Sequence, residues 1–352
     1  MLVVTMTWLQ FIRFLVSATI GIGGVFYVFI LMLDPYQNVF FSPDLDRAPV
    51  STNQRFAYPA LARNPVFDSA IIGTSTVRLL EPTRLAELLD ARFVNLAMNS
   101  ATTYEQARIH ELFVRHHPRV RYLVLGVDET WCNRAANIER YSFRSFPEWM
   151  YDENQWNDLV YLFNDKALEN AVRMMELLLG AREPKYRSDG YRDFTLDFGP
   201  YDEAEVKKRL YQDVPSTLES VTIVARHEQP GWTFPLLDTL KRILRDTPKT
   251  TRIVLLFPPL HASYATRGAA NVSECKGRIA AIVANVDNVA VLDFLHISAL
   301  TREDSNYWDP LHFTDAIARM LEIDVARVLL RQAPLSPFAH DLPVPAHATP
   351  PP

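Results

Sequence analysis

The stretch AIIGTSTVRLL, residues 70–80, runs from an apolar segment into a Gly-Thr-Ser turn and out again into a helical pattern. An apolar run this short, with no polar alternation, reads as a strand buried on both faces. The serine at its end has two readings. It either caps the helix that follows, or it is held at a strand end because it attacks something.

Working outward, the same signature recurs. DSAIIG (68–73), RFVNLAM (92–98), RYLVLGVD (121–128), TTRIVLLFPP (250–259) and NVAVLDF (288–294) are short apolar runs. Helical patterns lie between them: VRLLEPTRLAELLD, interrupted at Pro82; TTYEQARIHELFVRHH, stopped by Pro118; and CKGRIAAIVANV before the last strand. Strands alternating with helices, each strand near-continuously apolar, predict an α/β domain whose parallel sheet is covered on both faces. Residues 133 to about 246 break the alternation with the aromatic-rich YSFRSFPEWMYDENQW and the helical DKALENAVRMMELLLG. They read as an insertion, either a lid or substrate platform or a segment whose aromatics pack onto the core.

The chain has 352 residues, of which 48% are hydrophobic, enough for a sizeable core. A net charge of -5 and the absence of any long basic run exclude a surface-wide nucleic-acid partner. The two cysteines, Cys132 and Cys275, form no CxxC and no Cys/His cluster, so neither a metal site nor a cofactor is expected. Residues 14–33, FLVSATIGIGGVFYVFILML, carry no charge. At about 1.5 Å rise per residue they span roughly the 30 Å of a bilayer core. Arg13 before the span places the N-terminus in the cytoplasm and the rest outside. A cleaved signal peptide is the rival, but its apolar run is normally shorter, and no small-x-small site precedes Asp34. The expected organisation is a cytoplasmic N-terminus (1–13), a transmembrane anchor (14–33), a linker (34–67), an α/β domain (68–332) and a Pro-rich extended or disordered tail (333–352). An extracytoplasmic domain permits Cys132 and Cys275 to pair, which the sequence leaves open.

Ligands of open parallel sheets collect at the carboxyl ends of strands. That rule selects Gly73-Thr74-Ser75, the NLAMNSAT turn at 95–102, and Gly126-Val127-Asp128-Glu129, with NYWDPLHF at 306–313 far downstream. A catalytic serine needs an imidazole base and a third group to orient it, and Asp309-x-x-His312 supplies both from one turn of chain, for instance at a helix entrance. The alternative is that Asp309 merely caps the helix DAIARMLEIDVARVLL or the turn before it.

GTS, NLAMNSAT, LVLGVDE and WDPLHF stand in the order and approximate spacing of the four blocks of the SGNH (GDSL-like) hydrolase superfamily. The chain most resembles its membrane-anchored extracytoplasmic branch, which includes alginate O-acetylation and D-alanyl-transfer proteins. The resemblance implies a three-layer α/β/α sandwich with Ser75 as nucleophile, His312 as base and Asp309 orienting it. It implies no cofactor. The oxyanion would sit on the backbone N–H groups of Ser75 and Ser100. Ser100 stands where the family has glycine, and Asp128 where it has the asparagine that donates a side-chain N–H to the oxyanion. An ionised Asp128 can only accept, so either Asp128 is protonated, or another donor such as Asn99 or Asn133 takes over, or the enzyme is slow or inactive. Asp128 has a plainer reading, a strand-end residue bonding its own loop. Asn99 and His261, at strand ends, are further candidates for touching substrate, and His116-His117 reads as a helix cap.

The function expected is serine ester hydrolysis or O-acyl transfer, acting on acyl (chiefly acetyl) groups of a cell-surface polysaccharide. Its partners would be the membrane, the acyl-bearing polymer and a membrane acyl-transfer protein. The competing expectation is a non-catalytic SGNH-like binding or assembly module.

Overall fold

Five apolar runs pair as one parallel sheet: β1 (Ser69–Ile72), β2 (Phe93–Asn95), β3 (Tyr122–Gly126), β4 (Arg252–Phe257) and β5 (Val289–Asp293), ordered β2-β1-β3-β4-β5. Each lies within a segment whose sequence reads as a strand. The computed structural model describes residues 6–42, 48–135, 138–212, 231–265, 269–340 and 342. Successive side chains on a strand point to opposite faces. Accordingly Ile72, Leu123, Leu125, Ile253 and Leu255 join one buried apolar cluster, and Ile71, Val124, Val254 and Leu256 join another. With both faces buried, the strands have no polar side to alternate.

Twelve helices occur among the described residues: α1 (Trp8–Leu33), α2 (Gln54–Arg63), α3 (Pro82–Leu89), α4 (Thr103–His116), α5 (Gln155–Tyr161), α6 (Asp165–Leu178), α7 (Glu203–Tyr211), α8 (Leu237–Asp246), α9 (Ala262–Ala265), α10 (Ala269–Val283), α11 (Ala299–Arg302) and α12 (Asp315–Leu329). Residues of α2, α4, α8 and α10 enter the first cluster, and those of α3, α7 and α12 the second. Pro82 opens α3 at its first turn, where its missing N–H costs nothing. A capping box of Thr102 and Glu105 starts α4. From β1 the chain steps one way to β2 and the other way to β3, so the strand order reverses beside β1. Such a reversal opens a crevice at the carboxyl ends of the strands.

Three boundaries differ from the sequence reading. The stretch expected as a linker carries α2, whose Tyr58, Leu61 and Ala62 are buried. It lacks visible periodicity because Pro59 and polar residues interrupt its apolar face. The insertion stops short of α8, which packs on α4 as the crossover helix into β4 and buries Leu240, Ile243 and Leu244. Of the tail, His340 pairs with Asp293 at the end of β5, and Leu342 is buried; residues 341 and 343–352 lie outside the described residues.

Helix α1 is long and apolar enough to cross a membrane. Its last turns pack against α6 and bury Ile30. A disulfide joins Cys132, after β3, to Cys275 on α10, closing a 143-residue separation that contains the whole insertion. A cross-link of this reach typically stabilises by about 2–4 kcal/mol.

The segment after β1 is tied to the C-terminal helix by Glu322, which is fully buried on α12. Its carboxylate accepts from the Glu81 backbone N–H at the start of α3 and faces Arg84 and Arg319, each at 3.1 Å. Burial outweighs these partners and raises its pKa from 4.5 to about 7. Because the folded pKa lies above the unfolded one, this contribution is fully present below about pH 4.5 and is lost as pH rises through about 7. Glu322→Gln should flatten the fall in stability between those values, by at most about 3 kcal/mol, as read by urea unfolding at pH 5 and pH 8.

Candidate active site

Gly73 ends β1, and Ser75–Val77 make one turn of 3-10 helix capped by the Thr74 side chain. A Cβ on Gly73 would lie 2.5 Å from a Val77 methyl, and one on Gly126 2.8 Å from the same side chain. The two strand-end glycines therefore admit Val77 between β1 and β3, which seats the turn. Thr74 and Thr76 are buried, and Ser75 between them is partly open.

Asp309 and His312 come from the short antiparallel pair β6 (Tyr307–Asp309) and β7 (His312–Phe313), on either side of the Pro310-Leu311 turn. They face each other across this hairpin rather than at a helix entrance. Thr314 stands at the N-cap position of α12, without a side-chain hydrogen bond, and Asp309 caps the turn before it. His312 Nδ1 lies 2.7 Å from Asp309 Oδ2, and its Nε2 lies 2.9 Å from Ser75 Oγ. Asp309 Oδ1 also accepts the backbone N–H groups of Leu311 and His312. Burial by itself would raise the Asp309 pKa. The His312 contact and these backbone bonds outweigh it and hold the carboxyl below its ordinary value. An ionised Asp309 fixes the tautomer: Nδ1–H donates to it, and Nε2 is left to accept from Ser75.

Ser100 lies in the left-handed region, with φ of 51°, which explains why a glycine would suit this position. Two arginines brace it through Asn99. Arg78 donates to the Asn99 side-chain oxygen, and Arg55 Nη2 to the Asn99 backbone carbonyl at 3.1 Å. Arg55 makes a bidentate pair with Glu105, both side chains fully buried. Glu105 also receives Thr102 N–H and the Ser142 backbone N–H and hydroxyl. Neither the Ser75 nor the Ser100 N–H meets an acceptor among the described residues, and both residues line one cleft of about 640 Å³.

The four other sequence candidates separate. Asp128 is buried and acts as an acceptor: one oxygen takes the Thr74 and Thr76 hydroxyls, the other the Thr130 N–H and hydroxyl. Its side chain thus holds the Ser75 turn and offers no N–H of its own. Asn99 is outside the cleft lining, engaged by the two arginines. Asn133 lines the cleft, with its side-chain oxygen bonded to Ala135 N–H and its amide nitrogen left to donate. His261 is fully buried, so it meets no ligand from solvent. It holds the hairpin instead: its backbone N–H donates to Pro310 O, and its ring bridges Ser263 and Asp304.

The insertion supplies side chains that no motif announced. Tyr141 and Phe143 line the cleft, as part of the aromatic run that reads as a lid or platform. Phe194 stands edge-on to His312 at 5.1 Å, with Arg78 over its ring at 4.8 Å. The signal for Tyr141 and Phe143 was the aromatic density of residues 141–156; Phe194 and Arg55 had none.

No known family model matches the chain, and no curated protein does. The site is therefore read from its own chemistry.

Removing the Asp128 carboxylate strands up to four donors, each costing about 1–3 kcal/mol if left unpaired. Asp128→Ala should lower the unfolding midpoint by several degrees in a thermal melt and loosen the Ser75 turn. Ser100→Gly should leave the fold and any activity within about threefold of the parent, whereas Ser100→Val should cost about 1–3 kcal/mol in backbone strain, measurable by denaturant unfolding.

Proposed function

We propose that this chain is a membrane-anchored, extracytoplasmic serine esterase or O-acyltransferase of the SGNH type, with the three-layer α/β/α arrangement of that superfamily. The observation that carries the reading is the Ser75–His312–Asp309 relay, with both hydrogen bonds at working length and with Ser75 lining a cleft, after β1, beside which the strand order reverses. The disulfide supports an oxidising compartment, and Arg13 ahead of the span agrees with that side being extracytoplasmic.

In this reading Ser75 Oγ attacks the acyl carbonyl carbon as its proton passes to His312 Nε2. The oxygen of the tetrahedral intermediate takes hydrogen bonds from the Ser75 and Ser100 N–H groups, with the Asn133 amide as a third donor. The ester C–O bond then breaks, and His312 returns the proton to the departing alcohol. Water or a sugar hydroxyl attacks the acyl-serine in turn, giving its proton to His312, which passes it to Ser75 Oγ as the acyl–Oγ bond breaks and the free serine is restored. Asp309 orients the imidazole throughout and stays ionised.

The cleft size fits a small acyl group with part of its carrier. Among the described lining residues, hydroxyls and aromatics accompany Asp128, Glu129 and Glu139, with no Lys or Arg. That balance favours an uncharged O-acetylated sugar over a polyanion. The natural carrier in this reading is a cell-surface polysaccharide, supplied by a membrane acyl-transfer partner.

The acceptor role of Asp128 favours a second reading, a binding or assembly module that retains the relay without turnover. Assay of the purified protein on p-nitrophenyl acetate separates the two. Ser75→Ala and His312→Ala should each lose at least about 10³-fold in kcat/KM, and a labelled acetyl group should be trapped on Ser75 of the parent. Equal rates in parent and Ser75→Ala would favour the module.

A further inference from the structure

Helix α5 is inverted with respect to water. Its one acidic residue, Asp158, is 1% exposed and bonded to the Asn38 amide, while Trp156 is 67% and Val160 76% exposed, with Tyr161 and the following Phe163 also turned outward. A surface helix normally does the reverse. An apolar patch of this kind on a soluble face needs something to cover it.

The patch is continuous with α1. Phe163 meets Tyr27 edge-on at 5.6 Å and lies over Gly23, and the Tyr27 hydroxyl donates to Leu159 O. Trp156 packs on Phe40, just beyond the end of α1, with ring centres 4.1 Å apart. On the open side of the same turns of α1, Val28 and Met32 are exposed as well. Gly23 lies ten residues before Leu33, about 15 Å along the helix axis. The uncharged segment of α1 is only about as long as a bilayer core is thick. A bilayer that covers it must therefore reach the level at which Phe163 packs. Exposed Trp and Tyr fit the boundary between headgroups and acyl chains.

We propose that α5 and the turn through Phe163 lie in the lipid leaflet on the side of the globular domain, so that the domain is seated against the membrane beside its own anchor. The occupant of the patch is lipid. This rests on the reading of α1 as a membrane span, and not on the esterase reading.

The test uses the full chain in phosphatidylcholine vesicles. With the two native cysteines bonded to each other, single cysteines at Val160→Cys, Val16→Cys and Leu196→Cys can be labelled with an environment-sensitive fluorophore. Leu196 is the control, 75% exposed on a turn of the insertion. The label at Val160 should resemble that at Val16: blue-shifted, quenched by doxyl-phospholipid and several-fold less quenched by iodide than at Leu196. Slowed hydrogen exchange of α5 amides in vesicles, compared with detergent, should follow in the unlabelled protein. Iodide quenching at Val160 equal to that at Leu196, with Val16 in lipid, would overturn the proposal. Protection at Val160 that vanishes when protein is diluted into excess lipid would overturn it in favour of a second copy of the chain. A Val16 label open to iodide would remove the anchor reading, and this proposal with it.

Discussion

The buried pair of Arg55 and Glu105 is the contact on which the site's geometry hangs. Two opposite charges with no exposed surface lose their hydration and are held by close pairing and further hydrogen bonds, although Arg55 Nη1 has no partner here, and breaking such a pair typically costs about 3–5 kcal/mol. Here those further bonds do the joining. Arg55 holds the backbone before Ser100, while Glu105 starts α4 and fastens Ser142 of the insertion. One ion pair thereby fixes the second-strand loop, a covering helix and one wall of the cleft relative to each other.

A second constraint acts at Ser75. Its turn is gripped from beneath by Asp128 through two threonine hydroxyls and wedged by Val77 between two glycines. Asp128 is an acceptor on both oxygens, so in the proposed acyl-transfer reading any developing charge is left to the amides of Ser75 and Ser100. The left-handed φ of Ser100 is a further constraint: the strain of a non-glycine residue there is held in place by two arginines rather than avoided.

How far the sequence revealed this depends on the range of each interaction. The five strands were legible because burial on both faces leaves uninterrupted apolar runs; strand-end rules then pointed to the turns that hold Ser75, Ser100 and Asp128, and the Asp-x-x-His spacing pointed to His312. Asp309 and His312 were legible as a pair but not as a hairpin, since three-residue spacing suits either geometry. Arg55 was hidden because α2 lies in a stretch broken by Pro59, and its partner is 50 positions away. His261 looked available because it follows a strand, but its neighbours bury it completely. Phe194 reaches His312 from the insertion, where no periodicity marks a destination. Local pattern encodes elements; which polar groups meet inside is settled by packing at long range.

The disulfide has a topological consequence for the relay. Ser75 and His312 are 237 positions apart, and the loop closed by Cys132 and Cys275 lies wholly between them. The bond shortens the covalent path from Ser75 to His312 to less than half. A protease cut anywhere inside the loop would leave two polypeptides, one carrying the serine and the other the imidazole, still stapled as a single molecule. The insertion can thus be nicked with Ser75 and His312 still tethered in one covalent molecule.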